Sequence, residues 1–278
     1  MLDDVVDVLA CPHCGLGLEL AERGLRCAGG HVFDLARQGY ASLLSGHPRA
    51  GAGDTAAMVA ARAEFLAAGH YDPIADEVAD AVAEVEPAPA HVVDIGAGTG
   101  YYLARVLDRV PGAGLALDVS KYAARRAARI HPRVGSVVAD AWRALPVRSG
   151  SVSVLLNVFA PRNAAEMHRV LRPGGHLVVV TPNSGHLAEL VTSLGLLNVD
   201  ERKRERLDEQ LSGLFEAVAL RPREFTMSLG AGEVEAVVGM GPSAWHSAPE
   251  DMRARIAELP DPVRVSAAVT VSVYRRRS

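Results

Sequence analysis

Five apolar runs separated by short intervening segments, three of them of helical periodicity, limit the folds open to this 278-residue chain more than any other feature. "HVVDIG", "GLALDV", "VGSVVAD", "SVSVLLNVF" and "HLVVVT" follow one another between residues 91 and 181. They are nearly continuous rather than alternating, as expected of strands buried on both faces. "YYLARVLDRV", "KYAARRAARI" and "NAAEMHRVL" lie between them with apolar residues at helical spacing. Strand–helix alternation of this kind predicts a doubly wound α/β sheet, mostly parallel. Two later alternating segments, 214–228 and 264–275, suit antiparallel strands added at one edge. Further helices are expected at "HLAELVTSLGLL", "DERKRERLDEQLSG", "AGEVEAVVGM" and "PEDMRARIAEL", and a turn at "LRPGG". Before the first strand, residues 54–85 are Ala-rich, with Asp54 a plausible N-cap and Gly69 a stop between two helices.

The N-terminal segment is different in kind. All three cysteines fall within the first 27 residues, in "CPHCGLGLELAERGLRCAGGH". The spacing Cys-x2-Cys-x12-Cys-x3-His uses Cys11, Cys14, Cys27 and His31, two knuckles that each present two ligands from a tight turn. Four such donors suit tetrahedral Zn2+ with no open coordination position, hence a structural rather than a catalytic metal. His13 and His47 are the alternative fourth ligands, and a redox CxxC would leave the second knuckle unexplained. Residues 1–47 carry too little apolar material for a core of their own, and a metal would staple them. The expected organisation is a zinc-binding module at 1–47, a linker and helices at 48–90, and the α/β domain at 91–278. Loss of Cys11 is then expected to unfold the module while the larger domain keeps its ligand.

Composition narrows the setting. No apolar run reaches membrane-spanning length, and the acidic N-terminus lacks a basic, apolar leader. Three thiols cannot all pair, which favours a reduced, cytoplasmic environment. A formal net charge of −4 argues against a uniformly basic surface. Yet residues 121–172 hold ten Arg/Lys against Asp140 and Glu166, a local +8, leaving −12 for the remainder. That asymmetry suits a polyanion-facing surface, or the solvated face of a helix. Residues 1–50, with four Arg and six acids, contribute nothing to it.

The first strand ends in "VVDIGAGTG", in which Gly96, Gly98 and Gly100 precede a helix. This is Asp-x-Gly-x-Gly-x-Gly rather than the dinucleotide GxGxxG. It resembles the S-adenosylmethionine loop of Rossmann-like class I methyltransferases, in which an acid such as Asp94 helps hold the methionine part. Asp118 closes the second strand, where a carboxylate can accept both ribose hydroxyls. Asp140 ends the third, where the methyltransferase pattern puts an acid beside the adenine amino group, and "LRPGG" resembles the turn before the fifth strand of that superfamily. With every cysteine assigned to the metal, a cysteine-nucleophile route to pyrimidine C5 is disfavoured. The fourth strand ends in "LLNVFAPRN" and lacks the Asn/Asp-Pro-Pro-Tyr signature of exocyclic-amine methylation; Asn157 and Phe159 occupy its acceptor-facing edge.

Taken together, the zinc knuckles, "HVFDLARQGYASLL", "AARAEFLAAGHYDP", "VVDIGAGTGYY", "LDVSKYAARRAAR" and "VFAPRNAAEMHRVLRPGGHLVVVTPNSGHLAEL" resemble the 23S rRNA guanine-N1 methyltransferases, in their RlmA and tylosin-resistance types. The resemblance implies methyl transfer from S-adenosylmethionine to guanine N1 in a 23S rRNA hairpin near the peptide exit tunnel. In the resistance branch the modification lowers macrolide binding, and the rarity of Lys (two among 29 basic residues) fits a high-GC genome and leans toward that branch. It further implies that Tyr71, Asp94, Gly96, Gly98, Thr99, Gly100, Asp118, Asp140, Asn157 and His186 contact the cofactor, while no residue declares itself as a catalytic base. Aromatic or Arg side chains near 157–162, Phe159 among them, are expected to stack on the target base. A small module with limited contact area is compatible with a homodimer. A small-molecule methyltransferase and a non-catalytic RNA-binding assembly factor are the competing readings; the zinc module and basic window weigh against the first, the intact acids against the second.

Overall fold

A computed structural model describes residues 1–46, 53–196, 209–241 and 249–278. His47, residues 48–52 of the expected linker, and most of the helix expected at "DERKRERLDEQLSG" lie outside them. The chain starts with two 3-10 turns, Leu2–Asp4 and Val6–Val8. Strands β1 (Leu18–Ala21), β2 (Gly24–Cys27) and β3 (Val32–Asp34) form a small antiparallel sheet in that order. Then come β4 (Tyr40–Ser42), α1 (Ala56–Ala67) and α2 (Asp72–Val85). The alternating region follows as β5 (His91–Ile95), α3 (Tyr101–Arg109), β6 (Ala113–Asp118), α4 (Lys121–Ala127), β7 (Val134–Val138), β8 (Val152–Val158), α5 (Ala164–Val170) and β9 (Leu171–Pro182). The described part ends with α6 (Ala188–Leu194), β10 (Phe215–Leu229), α7 (Ala231–Gly239), α8 (Pro249–Ala257) and β11 (Val263–Arg276).

The large sheet runs β10-β11-β9-β8-β5-β6-β7-β4. β5 to β9 are mutually parallel, as their apolar runs require, and β11 and β10 are antiparallel additions beyond β9. The chain leaves β5 toward β6 and later returns to its other side as β8, which makes the β5–β8 boundary a topological switch point. In open α/β sheets the cleft beyond the carboxyl ends of such strands is where ligands bind.

Alternate residues of β5 serve the two faces: Val92 belongs to the cluster under α2 and α3, Val93 and Ile95 to the opposite one. Each such fully buried Val or Ile contributes about 1.5–3 kcal/mol relative to exposure. The second cluster is completed by Leu2, Val5, Val8, Leu9, Leu25 and Leu43 from the N-terminal segment. Gly135 of β7 admits this packing, because a Cβ there would stand 2.5 Å from Val5 Cγ2.

The structure changes several local expectations. β4 is the eighth strand of the large sheet, paired in parallel with β7 through Tyr40–Ser136 and Ser42–Val138. The N-cap of α1 is Thr55, not Asp54: the Thr55 hydroxyl accepts from the Met58 N–H at 3.2 Å, and Asp54 instead pairs with Arg62 at 2.6 Å. "RPGG" is a bulge inside β9, since Val152 pairs with Leu171 but Val154 with His176. The helix expected from His186 begins only at Ala188, after Leu187 takes a left-handed conformation at φ 56°. Among the described residues, no helix is long and apolar enough to cross a membrane.

Candidate functional site

Two tight turns bring the four N-terminal ligand candidates together. Cys11 and Cys14 flank one turn, and Cys27 with His31 the other, at the end of β2. The ligand atoms of Cys11, Cys14, Cys27 and His31 all lie within 4.8 Å of one another. Cys27 Sγ is 3.4 Å and Cys11 Sγ 3.5 Å from His31 Nδ1, and Cys14 Sγ is 3.6 Å from Cys27 Sγ. Tetrahedral zinc bonds of ~2.3 Å to sulfur and ~2.0 Å to nitrogen require S···S edges of about 3.8 Å and S···N edges of about 3.5 Å. The donor set therefore fits zinc by chemistry and by spacing. Gly29 makes room for it, since a Cβ there would stand 3.3 Å from Cys14 Sγ. His13 is not part of the cluster; its ring packs against His31 and stacks on Phe33 at 5.7 Å.

The second constellation lies at the carboxyl ends of β5, β6, β7 and β8. Gly96, Gly98 and Gly100 all have positive φ (75°, 55° and 82°), which L side chains adopt only under strain. Gly96 is also closed off sterically, as a Cβ would stand 2.5 Å from that of Ala160. The loop is fixed to β6 by the N–H groups of Gly96 and Ala97, which both donate to the Leu117 carbonyl. Asp118 fastens it from the other side, accepting from the Gly98 N–H and the Ser120 N–H, each at 2.8 Å. Burial raises the Asp118 carboxyl above the usual range, while those two N–H donors oppose the shift. Thr99 is buried in the loop beside Gly100, which opens α3.

Asp94 is the anomaly of the site. Its carboxyl is 1% exposed, and neither oxygen has a hydrogen-bond partner among the described residues. Burial, with Asp118 nearby, pushes it up to about 7. A buried carboxylate without donors is costly unless a bound cation completes it. This orphan, beside glycines that leave the backbone bare, fits the ammonium of an S-adenosylmethionine methionine part. Asp140 follows β7, buried, with Oδ1 accepting from the Trp142 N–H at 2.9 Å and Oδ2 3.5 Å from Arg143.

Beyond β8 stands an aromatic group. The Phe159 ring is 5.8 Å from His186, near-parallel, and 6.2 Å from Tyr71 and 6.4 Å from Tyr102. Phe159 is 39% exposed and has φ 53°, a left-handed conformation that is uncommon for an aromatic residue. The Tyr71 hydroxyl and His186 Nε2 are 3.1 Å apart, and His186 Nδ1 accepts from the Ala268 N–H at 3.2 Å. Burial lowers His186 to about 4, so the imidazole is neutral at physiological pH. With Nδ1 accepting, its proton sits on Nε2 and donates to Tyr71, whose own hydroxyl hydrogen stays free. Asn157 is fully buried; its Nδ2 donates to the carbonyls of Pro161 (2.9 Å) and Ile95 (3.4 Å), and its Oδ1 has no partner among the described residues.

The structure thus brings Asp94 and Asp118, at the ends of β5 and β6, together around the loop of Gly96, Gly98, Thr99 and Gly100, and Tyr71, His186 and Phe159 into one aromatic group. Sequence reasoning missed Tyr102 of that group and Arg62, whose Nη1 is 3.2 Å from the position a Gly98 Cβ would take. Arg62 is held there by Asp54 and by the Met240 carbonyl, partners distant in sequence. The basic window is also redistributed. Arg133 donates to the carbonyls of Leu107, Val110 and Gly112, and Arg169 to Glu166 and the Leu145 carbonyl. Arg143 donates to Ser45, Arg148 to Asp7, and Arg172 pairs with Glu86.

Comparison with known proteins bears on both constellations. Residues 9–48 match the family described as RlmA, N-terminal, and residues 92–175 a methyltransferase domain family. A Streptomyces fradiae protein named 23S rRNA (guanine(748)-N(1))-methyltransferase is 52% identical over 99% of both chains. A Micromonospora griseorubida protein bearing the name 23S rRNA (guanine-N(1)-)-methyltransferase is 51% identical, again over 99% of both. A crystal structure described as a methyltransferase from Bacillus halodurans C-125 superposes with a TM-score of 0.50 at 16% identity, covering 72% of this chain and 97% of that one. That last likeness concerns the α/β fold alone.

Proposed function

The chain belongs to the family of 23S rRNA (guanine-N1)-methyltransferases, and from that premise we propose that it methylates guanine N1 in a hairpin loop of 23S rRNA near the peptide exit tunnel. The target is the guanine corresponding to the one numbered 748 in the name of the Streptomyces fradiae relative, and the modification serves macrolide resistance of the tylosin type. The observation that carries this reading is whole-length similarity that includes both the zinc ribbon and the cofactor cleft. The enzyme works in the cytoplasm, where its RNA is.

S-adenosylmethionine supplies an electrophilic methyl group on a sulfonium. Gly96, Gly98, Thr99 and Gly100 form its backbone cradle, Asp94 receives its ammonium, Asp118 its ribose and Asp140 its adenine. Tyr71, Asn157 and His186 complete the site as residues that order its edge. Cys11, Cys14, Cys27 and His31 hold a structural Zn2+. Within 1–47, the ribbon acts as the module that recognises RNA shape; 48–90 leads into the transfer domain at 91–278.

Guanine N1 carries a proton near neutral pH, so attack requires its removal before or during transfer. Much of the acceleration comes from holding N1 in line with the methyl group. Phe159, fixed in its left-handed conformation and backed by Tyr71, Tyr102 and His186, offers a stacking face for the extruded base. The neutral His186 and buried Tyr71 keep that wall uncharged. Two copies act together: β10 is the outermost strand of the sheet and exposes Val218 and Leu220, which supports a homodimer. Transfer of labelled methyl to 23S rRNA, followed by digestion to nucleosides, is expected to yield 1-methylguanosine. Label in any other nucleoside, or in small metabolites alone, would contradict the proposal.

A further inference from the structure

Of the ten basic residues between 121 and 172, the half-buried Arg162 aside, only Lys121, Arg125, Arg126 and Arg129 have neither an acidic nor a carbonyl partner for their side chains among the described residues. All four belong to α4 and the turn that follows it. Three of them, Arg125, Arg126 and Arg129, line a groove of about 620 Å3 between α4 and α1, with Leu66 among its apolar wall residues. Among the described residues no carboxylate lines it, in a chain whose formal net charge is −4. Tyr122 and Ile130 also line it, each 42% exposed, and the Lys121 ammonium lies 5.3 Å from the Tyr122 ring centre. Thr99 and Tyr101 connect it to the cofactor loop.

We propose that this groove binds the sugar–phosphate backbone of the substrate RNA, with Tyr122 as a stacking platform for an adjacent base. The inference rests on the RNA-methylation reading and adds to it the surface that engages the strand. Three guanidiniums that lack an acidic or carbonyl partner among the described residues, within one helical turn and a half, match the fork geometry by which Arg binds phosphate oxygens. Cations interleaved with an exposed aromatic ring form the usual platform for single-stranded nucleic acid. The groove is too large and too apolar-walled for a lone phosphate ion, and its volume accommodates nucleotide units. Its shared Thr99 wall puts a strand seated there against the glycine loop, so RNA engagement and cofactor positioning meet at one segment. The N-terminal segment, with more acids than arginines, cannot supply this attraction.

The test uses full-length zinc-loaded protein and a transcript of the 23S rRNA segment around guanine 748. Affinity is measured over a range of KCl concentration for wild type, R125Q/R126Q/R129Q and R125K/R126K/R129K, with cofactor affinity measured by calorimetry as a check on folding. Each lost phosphate contact lowers the slope of log K against log salt by about 0.7–0.9. The Gln variant is expected to bind RNA at least about tenfold more weakly, with a slope shallower by about 2–3 and unchanged cofactor affinity. The Lys variant, which keeps the charges, is expected to recover most of the slope. Unchanged RNA affinity and slope in the Gln variant, with wild type methylating the transcript, would overturn the groove assignment and leave the family reading intact. If wild type neither binds nor methylates the transcript, the RNA reading falls and the groove assignment with it. Loss of binding to an acidic protein partner, with RNA binding unaffected, would also overturn it.

Discussion

The backbone N–H of Leu43 donates to the carbonyl of Val138 at 2.9 Å, which ties the end of the zinc-bearing segment to the strand that leads into Asp140. Arg143 reinforces the link, donating to the Ser45 carbonyl while standing 3.5 Å from Asp140. The ribbon is therefore continuous with the sheet edge that carries one acid of the cofactor cleft.

Zinc removal is expected to reach further than the ribbon. Metal binding of this type supplies on the order of 10 kcal/mol to its fold, and Leu9, Leu25 and Leu43 are part of the core cluster shared with β5, β6 and β7. Chelation, or Cys11→Ser, should lower the melting temperature of the whole chain and weaken cofactor binding several-fold. Calorimetry with and without chelator checks this. Unchanged cofactor affinity would instead describe the segment as an independent body, as its composition alone suggests.

Cofactor affinity should depend on pH through Asp94. Its folded carboxyl is raised to about 7, so below that value the apo protein holds a proton that a cationic ligand must displace. Affinity is expected to rise about tenfold per pH unit as pH climbs toward 7, then level off. In the apo protein the sign is reversed: the raised carboxyl contributes stability when protonated, and that contribution is lost as pH rises through about 7. Asp94→Asn should weaken binding and flatten its pH profile; a profile that stays steep in this variant would assign the titration to another group.

Gly96→Ala combines two penalties, a left-handed backbone at φ 75° and a Cβ 2.5 Å from that of Ala160. A destabilisation of about 1–3 kcal/mol is expected, with loss of cofactor binding. Thermal unfolding checks the first and calorimetry the second. A variant of wild-type stability and affinity would show that the loop does not need this conformation.

Phe159→Ala should leave cofactor affinity near wild type and lower kcat/KM for RNA by roughly 10–100-fold, the usual value of one base–aromatic stacking contact. Steady-state transfer to 23S rRNA checks it. Unchanged RNA turnover would remove Phe159 from the acceptor site.

The parts of this architecture that were legible in the sequence are those specified by short spacings. Cys11, Cys14, Cys27 and His31 are brought together by two tight turns, and the Asp94–Gly100 loop by a strand and the helix it opens. Contacts between distant segments left no such trace. β4 is three residues long, too short for a periodicity, and its partner β7 comes much later in the chain. The Tyr71–His186 hydrogen bond and the Arg62–Met240 contact likewise join remote positions. Charge was misleading for a related reason: Arg133 and Arg169 look like free cations in the sequence, yet they satisfy carbonyls inside the fold. The arginines of α4 and its following turn have no such carbonyl partner among the described residues.

Primer extension on 23S rRNA, from cells with and without this gene, reads guanine N1 methylation at the level of the single base. A methyl group on guanine N1 blocks Watson–Crick pairing, so reverse transcriptase halts at the modified base. A stop is expected at the guanine corresponding to 748, present only when the gene is expressed and absent when it carries Asp94→Asn. Read-through at that position in expressing cells, or a stop at another base, would contradict it.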